Sequence, residues 1–190
     1  MGRAFRELVC RAARRMSGLG LATGSAGNVS LRAGGTIYIT PRAVPYERLR
    51  PGMIVALDPN GRVLSGAGTP SSEWRMHVLI HQEFPEVRAV IHTHSPCATA
   101  AATRGTLRPV CDEGLLLFGE AIPVSDRAPP GTWELARAAV AALKRGRGAC
   151  LLAHHGALAV GRTLTEALRL AVVLEETARI SLLGSGPQSP

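Results

Sequence analysis

The chain has 190 residues, which is long enough for one domain with a sizeable hydrophobic core. Hydrophobic residues make up 46% of it and aromatic residues only 4%, a composition that excludes a disordered chain and predicts an aliphatic core. The formal net charge is +8, and every basic residue except Lys144 is an arginine. Because these arginines are scattered and no nucleic-acid-binding motif is present, we expect an anionic small molecule as the partner and no nucleic acid.

The chain also gives information about its compartment. No apolar run reaches the length needed to cross a bilayer, so we expect no membrane partner. The Arg-rich residues 2–16 have the composition of a transit peptide, but their apolar spacing favours an amphipathic helix that ends near Gly18. The four cysteines form no C-x-x-C pair, which favours reduced thiols and a cytoplasmic protein.

After this helix, the first part of the chain predicts short strands. Residues 20–30 are rich in Gly, Ser and Thr and predict a loop, and strand-like segments follow at 36–40 and 53–58. The Asp-Pro-Asn-Gly turn signal at 58–61 predicts a hairpin between the second of these strands and residues 62–64.

The second part of the chain predicts helices that alternate with two apolar strands. Because the alternation is irregular and includes a hairpin, the predicted fold class is α/β, with a mixed sheet covered by helices. We expect one domain over residues 1–183 and a flexible tail over 184–190. The predicted segments are helix from about residue 71, strand 87–91, helix 98–104, partly extended 114–124, helix 132–144, strand 149–153 and helix 164–183.

Histidines at the ends of the two apolar strands give the strongest chemical signal. His92 and His94 follow the apolar run 87–91, and side chains at i and i+2 of a strand project to the same side. His154 and His155 follow the second apolar run and offer a third imidazole. Three histidines and an open coordination position are the usual composition of a catalytic zinc site.

Glu73 lies at the start of the helix that precedes the first histidine strand, with Ser71 or Ser72 as its expected N-cap. A carboxylate there can reach a metal ion as a ligand or as a proton-transferring base. The alternative is a glutamate that caps the helix and complements its dipole. His77 and His81 follow at helical spacing, and we interpret them as scaffolding because no H-E-x-x-H motif occurs.

A second group of residues is suited to an anion. The small residues 24–28 form a loop that can turn backbone N–H groups toward a negative charge, although most such segments are only loops. Ser71 and Ser72, at a helix N-terminus, add donors and a favourable dipole for phosphate.

Several motifs, in order along nearly the whole chain, together resemble the class II aldolase/adducin family, typified by L-fuculose-1-phosphate aldolase. The motifs are Leu19-Gly20-Leu21, Gly27-Asn28-Val29-Ser30, Ile39-Thr40-Pro41, Pro45-Tyr46-Glu47, Pro70-Ser71-Ser72-Glu73-Trp74-Arg75, His92-x-His94 and His154-His155-Gly156.

The resemblance implies a three-layer α/β/α domain with a central mixed, largely antiparallel sheet. It implies a zinc-dependent aldolase that cleaves a ketose 1-phosphate, similar to fuculose 1-phosphate, into dihydroxyacetone phosphate and an aldehyde through an enediolate. It also implies a homotetramer with active sites at subunit boundaries. The implied residues are His92, His94 and His155 for one Zn²⁺ per subunit, Glu73 as the catalytic acid/base, and Ser25, Asn28, Ser71 and Ser72 for the substrate phosphate.

Some alternatives stay open. Arg42 stands in the predicted phosphate loop, where it either clamps the phosphate or faces solvent. Residues 110–113 align with the segment that carries a proton-donating tyrosine in the fuculose-phosphate enzyme, and they contain no tyrosine. A dehydratase or epimerase of the same family would use the same metal scaffold. A non-catalytic binding domain like the adducin head would have no need of three histidines and Glu73.

Overall fold

The computed structural model describes residues 2–184, and its centre is a seven-stranded sheet. The strand order is β4-β3-β2-β1-β5-β7-β6, and each neighbouring pair is antiparallel. A parallel bridge joins Val124 to Leu151. The predicted mixed, largely antiparallel sheet is therefore confirmed. The strands are β1 (Asn28–Ala33), β2 (Thr36–Ile39), β3 (Val55–Leu57), β4 (Val63–Ser65), β5 (Ala89–Thr93), β6 (Ala149–Leu152) and β7 (Gly156–Gly161).

Helices cover both faces of this sheet and give the three layers of the predicted α/β/α fold. They are α1 (Gly2–Gly18), α2 (Trp74–Glu83), α3 (Pro96–Ala101), α4 (Asp112–Phe118), α5 (Trp133–Arg145) and α6 (Leu164–Gly184). Along β5, Ala89 and Ile91 pack into a core with α1 and α6, whereas Val90 packs into a core with α2 and α5. This alternation is the period of two that a strand buried on both faces requires.

The same alternation positions the first candidate ligand. His92 follows Val90 by two residues, so its side chain projects to the face that α2 and α5 cover. Glu73 is the N-cap of α2, and it therefore lies over the same face of the sheet as His92.

One local expectation was wrong at the start of the sheet. The loop predicted to run through Ser30 ends earlier, because β1 begins at Asn28. Val29 and Leu31 pack into the core with α1, while Asn28 and Ser30 contact side chains of the α2 segment. The small and polar residues of this segment gave no clear apolar alternation, so the sequence did not predict the strand. The strand is favourable because β2 and β5 pair with it on both sides.

Residues 112–118 form a helix, α4, whereas the sequence predicted a partly extended chain over residues 114–124. Asp112 and Glu113 lie in its first turn, where acidic groups complement the helix dipole, and Gly119 ends it with a positive φ of 73°. Only the following residues are extended, and there Ile122 bridges to Leu107.

The predicted tail begins at residue 184. Gly184 is the last residue of α6, and residues 185–190 lie outside the described part of the chain, so the proposed division at residue 183 stays a prediction. All four cysteines are free thiols. Among residues 2–184, no helix combines the length and the apolar character that a membrane span needs.

Candidate metal centre

Three imidazole rings meet at the end of β5. His92 belongs to β5, His94 follows that strand, and His155 lies in the turn between β6 and β7. Their ring centroids form a nearly equilateral triangle with sides of 4.8, 4.9 and 4.9 Å. His155 lies in the turn just before β7, and β7 pairs with β5, which carries His92. Antiparallel pairing therefore brings together His92 and His155, which are more than 60 positions apart in the chain.

The carboxylate of Glu73 completes this cluster. Its Oε2 lies 3.0 Å from His92 Nε2, and its Oε1 lies 3.3 Å from His155 Nε2. One ligand atom from each of Glu73, His92, His94 and His155 lies within 4.8 Å of every other. The structure thus brings together the four residues that the sequence singled out for metal binding and proton transfer.

Two glycines allow the backbone to approach this cluster. A Cβ on Gly27 would lie 2.5 Å from the carbonyl oxygen of His92, and Gly27 also has a φ of 72°. A Cβ on Gly156 would collide with the carbonyl oxygen of Thr93. These contacts explain the glycines of the Gly-Asn and His-His-Gly motifs, since any larger residue would push β1 or β7 away from the histidine strand.

The electrostatics of the cluster depend on the pair Glu73 and His92. Burial raises the pKa of Glu73, but His92, His155 and Asn28 together outweigh burial and hold that pKa well below its usual range. Burial lowers the pKa of His92, yet the charge and hydrogen bond of Glu73 raise it above its usual value overall. Partial burial and His92 lower the pKa of His94 to about 4. At neutral pH the cluster therefore holds an ionised carboxylate and a neutral His94 imidazole.

The donor atoms fit a divalent metal ion. His92 Nδ1 donates to the carbonyl oxygen of Ala157 at 2.9 Å, so a neutral His92 ring turns its Nε2 lone pair toward the cluster. His92 Nε2 lies 2.9 Å from His94 Nε2 and 3.0 Å from the carboxylate, and Glu73 Oε1 has no hydrogen bond to any described residue. A divalent cation is suited to bind such converging nitrogen and oxygen acceptors, and imidazole nitrogen with carboxylate oxygen suits zinc.

The candidate phosphate residues are less closely assembled. Ser71 is buried, and its Oγ accepts a hydrogen bond from the backbone N–H of Glu73 at 3.3 Å. The expected cap at Ser71 or Ser72 was wrong, because α2 begins at Trp74 and its N-cap is Glu73. Ser72 is exposed next to this cap. Arg42 is exposed too, and its backbone N–H donates to Thr69 O at 2.9 Å, which joins its loop to the segment before α2.

Asn28 is the first residue of β1, and Ser25 lies in the segment before this strand. Ser25 is exposed in the segment before β1, and Tyr46 anchors this segment because its hydroxyl donates to the carbonyl oxygen of Gly27 at 2.7 Å. Asn28 is buried, and its amide contacts Glu73 through Nδ2 and His77 through Oδ1. The sequence suggested Asn28 as a phosphate contact, and it gave no sign of the bond to Glu73, which depends on the position of β1.

One wall of the site was missing from the sequence interpretation. A cavity of about 460 Å³ opens beside His155, between residues 127–130 and 153–155. Arg127 lines it, and so does His154, which adopts a left-handed backbone with a φ of 58°. His154 is adjacent to His155, a predicted metal ligand, in the His-His-Gly motif. This adjacency is the one feature of the sequence that could have indicated the cavity.

The chain is similar to known proteins over nearly its whole length. The family described as Class II Aldolase and Adducin N-terminal domain matches residues 7–182. A 5-methylthioribulose-1-phosphate/5-deoxyribulose-1-phosphate aldolase of Rhodospirillum rubrum is 46% identical over 176 residues, which cover 92% of this chain and 79% of that protein. The L-fuculose phosphate aldolase of Escherichia coli K12 is 40% identical over 168 residues, 88% of this chain and 77% of that protein. A solved structure of L-fuculose 1-phosphate aldolase superposes with a TM-score of 0.91 at 30% identity and covers 98% of this chain and 89% of that one.

Proposed function

This chain belongs to the class II aldolase and adducin family, as an enzyme of the aldolase kind, and we propose that it cleaves a ketose 1-phosphate into dihydroxyacetone phosphate and an aldehyde. The observation that carries the proposal is the contact of an ionised carboxylate, Glu73, with three convergent imidazoles. A binding module of the adducin type has no use for such a cluster, whereas a metal-dependent enzyme needs its converging acceptors to hold a cation.

The proposed cofactor is one Zn²⁺ per subunit, held by His92, His94 and His155. When bound, the ion supplies Lewis-acid polarisation of the substrate carbonyl and stabilises the enediolate charge that develops as the carbon–carbon bond breaks. His92 is oriented for this role by its hydrogen bond to Ala157, and His94 lies at the solvent-exposed side, where a substrate can enter.

Glu73 is the proposed acid/base catalyst. Its Oε2 is fixed by Asn28, while its Oε1 has no hydrogen bond within the described chain. We therefore assign proton transfer at the enediolate carbon to Oε1, with Oε2 as the anchored atom. Because the pKa of Glu73 is lowered, the carboxylate is ionised at rest. It would therefore first take up the proton of the substrate hydroxyl that becomes the aldehyde oxygen, and then give a proton to the enediolate carbon, which returns it to the ionised state.

The proposed phosphate site is formed by Ser71 and Ser72 at the N-terminus of α2, together with Ser25, Asn28 and Arg42. The partial positive charge of a helix N-terminus and the backbone N–H groups there favour a phosphate. Since Glu73 is the next residue after Ser72, a phosphate held here fixes the distance between the anionic end of the substrate and the catalytic carboxylate.

The aldehyde end of the substrate is assigned to the cavity beside His155. Its wall contains Arg127 and His154, and none of the described residues that line it is a tyrosine. Polar side chains in this wall favour an aldehyde that carries hydrogen-bonding groups.

A cytoplasmic homotetramer with active sites at subunit boundaries remains part of the proposal. Leu116 and Leu183 are each 76% exposed, and Val110 is 62% exposed. Large apolar side chains at this exposure are commonly covered by another subunit. Light scattering of the purified protein tests the stoichiometry directly.

The test of the reaction is a product screen with the zinc-loaded protein. Fuculose 1-phosphate, 5-deoxyribulose 1-phosphate and 5-methylthioribulose 1-phosphate are offered in parallel, with the unphosphorylated sugars as controls. We expect release of dihydroxyacetone phosphate from at least one phosphorylated substrate. A product with the same number of carbon atoms as its substrate would indicate the dehydratase or epimerase alternative instead.

A further inference from the structure

A buried series of polar side chains leads from Glu73 into the layer between the sheet and α2. Asn28 Nδ2 donates to Glu73 Oε2 at 3.0 Å, and Asn28 Oδ1 contacts His77 Nε2. His77 Nδ1 lies 2.7 Å from Ser30 Oγ, which lies 2.9 Å from His81 Nε2. Each of these residues is at most 5% exposed. We call this series the relay.

The direction of the first two hydrogen bonds follows from Glu73. An ionised carboxylate only accepts hydrogen bonds, so the Asn28 amide must turn its nitrogen toward Glu73. Its oxygen then faces His77, and His77 Nε2 must carry a hydrogen to donate to it. The opposite amide orientation would place two acceptors against each other at Glu73 and two donors against each other at His77.

The remaining bonds follow from the neutral state of the two histidines. Burial lowers the pKa of His77 to about 3 and that of His81 to about 4, so each ring carries one hydrogen at neutral pH. His77 Nδ1 is then an acceptor, and the Ser30 hydroxyl donates to it. Ser30 Oγ in turn accepts the Nε2 hydrogen of His81.

The far end of the relay lies at the carbonyl oxygen of Val87. His81 Nδ1 lies 3.4 Å from Val87 O, which is longer than the other contacts of the relay. The same carbonyl accepts a hydrogen bond from the Arg32 guanidinium at 2.8 Å. The direction set at Glu73 places the single hydrogen of His81 on Nε2, so Nδ1 does not donate to Val87 O and Arg32 is the donor to that carbonyl.

We propose that His77, Ser30 and His81 are positioning residues that hold the Asn28 amide with its nitrogen toward Glu73. They thereby fix Oε2 of the carboxylate and leave Oε1 for proton transfer. The catalytic meaning of this inference rests on the function proposed above, whereas the orientation of the relay is a property of the chain alone. An asparagine amide has nearly the same shape in both orientations, so only its hydrogen-bond partners select one of them.

Nitrogen-15 NMR of the ring nitrogens tests the orientation without any substrate. In the zinc-loaded wild-type protein at pH 7.5, we expect His77 and His81 to be neutral and to carry hydrogen on Nε2. A hydrogen on His77 Nδ1, alone or in a doubly protonated ring, would overturn the proposal. Removal of the Ser30 hydroxyl by Ser30→Ala frees His77 Nδ1, and a mixture of tautomers in that variant is the expected result.

Two substitutions of His77 test the effect on turnover. His77→Gln keeps an N–H donor at the ε position, whereas His77→Leu removes it. We expect His77→Leu to lower kcat about 10- to 100-fold with KM and zinc content nearly unchanged, and His77→Gln to recover most of the loss. A folded His77→Leu variant with full kcat, or a His77→Gln variant no better than it, would contradict the positioning role.

These experiments separate the relay from the substrate assignment. If His77→Leu does not fold, the NMR result and the Ser30→Ala variant still decide the orientation. If the wild-type protein releases no dihydroxyacetone phosphate while the NMR result is as expected, the proposed reaction is wrong and the relay stands.

Discussion

Asn28 and His92 lie directly opposite each other on the antiparallel strands β1 and β5. Their side chains project to the same face, and Asn28 Nδ2 and His92 Nε2 both lie 3.0 Å from the same oxygen, Glu73 Oε2. One strand pair therefore sets the position of the carboxylate relative to the imidazoles. Glu73 Oε1, the other oxygen of the carboxylate, has no hydrogen bond within residues 2–184 and lies 3.3 Å from His155 Nε2.

Replacement of Glu73 by glutamine tests the catalytic carboxylate. Gln keeps the shape of the side chain but has no proton to give or take at neutral pH, so we expect kcat to fall about 10²- to 10⁴-fold. The three histidines remain, so zinc stays bound, as metal analysis by mass spectrometry will show. Turnover at the wild-type rate would mean that the carboxylate has no part in proton transfer.

Replacement of His94 by alanine tests the metal site. With one imidazole lost from three, we expect a zinc content far below one ion per chain after dialysis. His154→Asn is the matched control, because His154 lies outside the cluster and asparagine tolerates a left-handed backbone. Equal zinc loss in both variants would show that zinc retention does not depend specifically on His94.

Replacement of Arg42 by glutamine tests the phosphate contact. A guanidinium that clamps the phosphate contributes a charge-assisted hydrogen bond, so its loss is expected to raise KM about tenfold or more with little change in kcat. Arg11→Gln, an exposed arginine of α1, removes the same charge away from the site. If the two variants have the same KM, Arg42 faces solvent.

The close approach of Gly156 to Thr93 predicts a loss of stability in Gly156→Ala. The new Cβ collides with a backbone oxygen, which cannot rotate away, so we expect a lower free energy of unfolding by about 1–3 kcal/mol. Gly52→Ala serves as the control, because nothing lies within 4 Å of the added atom there. Urea unfolding of both variants measures the difference.

The low pKa of His81 predicts acid sensitivity. The unfolded chain binds a proton at His81 below its ordinary pKa of 6.5, whereas the folded chain does so only below about 4. Stability from this residue is thus fully present above pH 6.5 and is lost as the pH falls toward 4, at up to about 1.4 kcal/mol per pH unit. His81→Gln has no such proton, so its unfolding free energy should depend less steeply on pH. Parallel slopes for the two proteins would refute this.

Local spacing in the sequence was sufficient to predict some parts of the site. His92 and His94 share one side because a strand alternates its side chains, and the Pro-Ser-Ser segment indicated a helix start at Glu73, although neither serine is the N-cap. The predicted ends of α1, α5 and α6 lie within a few residues of the observed ends for the same reason. The apolar periodicity and the terminal residues of a helix are local signals.

The contacts between these site residues became known from the tertiary structure alone. Strand pairing joins residues far apart in the chain, so the contact of His155 with His92 and the partnership of Asn28 with Glu73 depend on the order of β1, β5 and β7 in the sheet. The residue preferences of a single segment do not indicate this strand order. The energy of strand pairing comes from hydrogen bonds and packing between segments that are far apart in the chain.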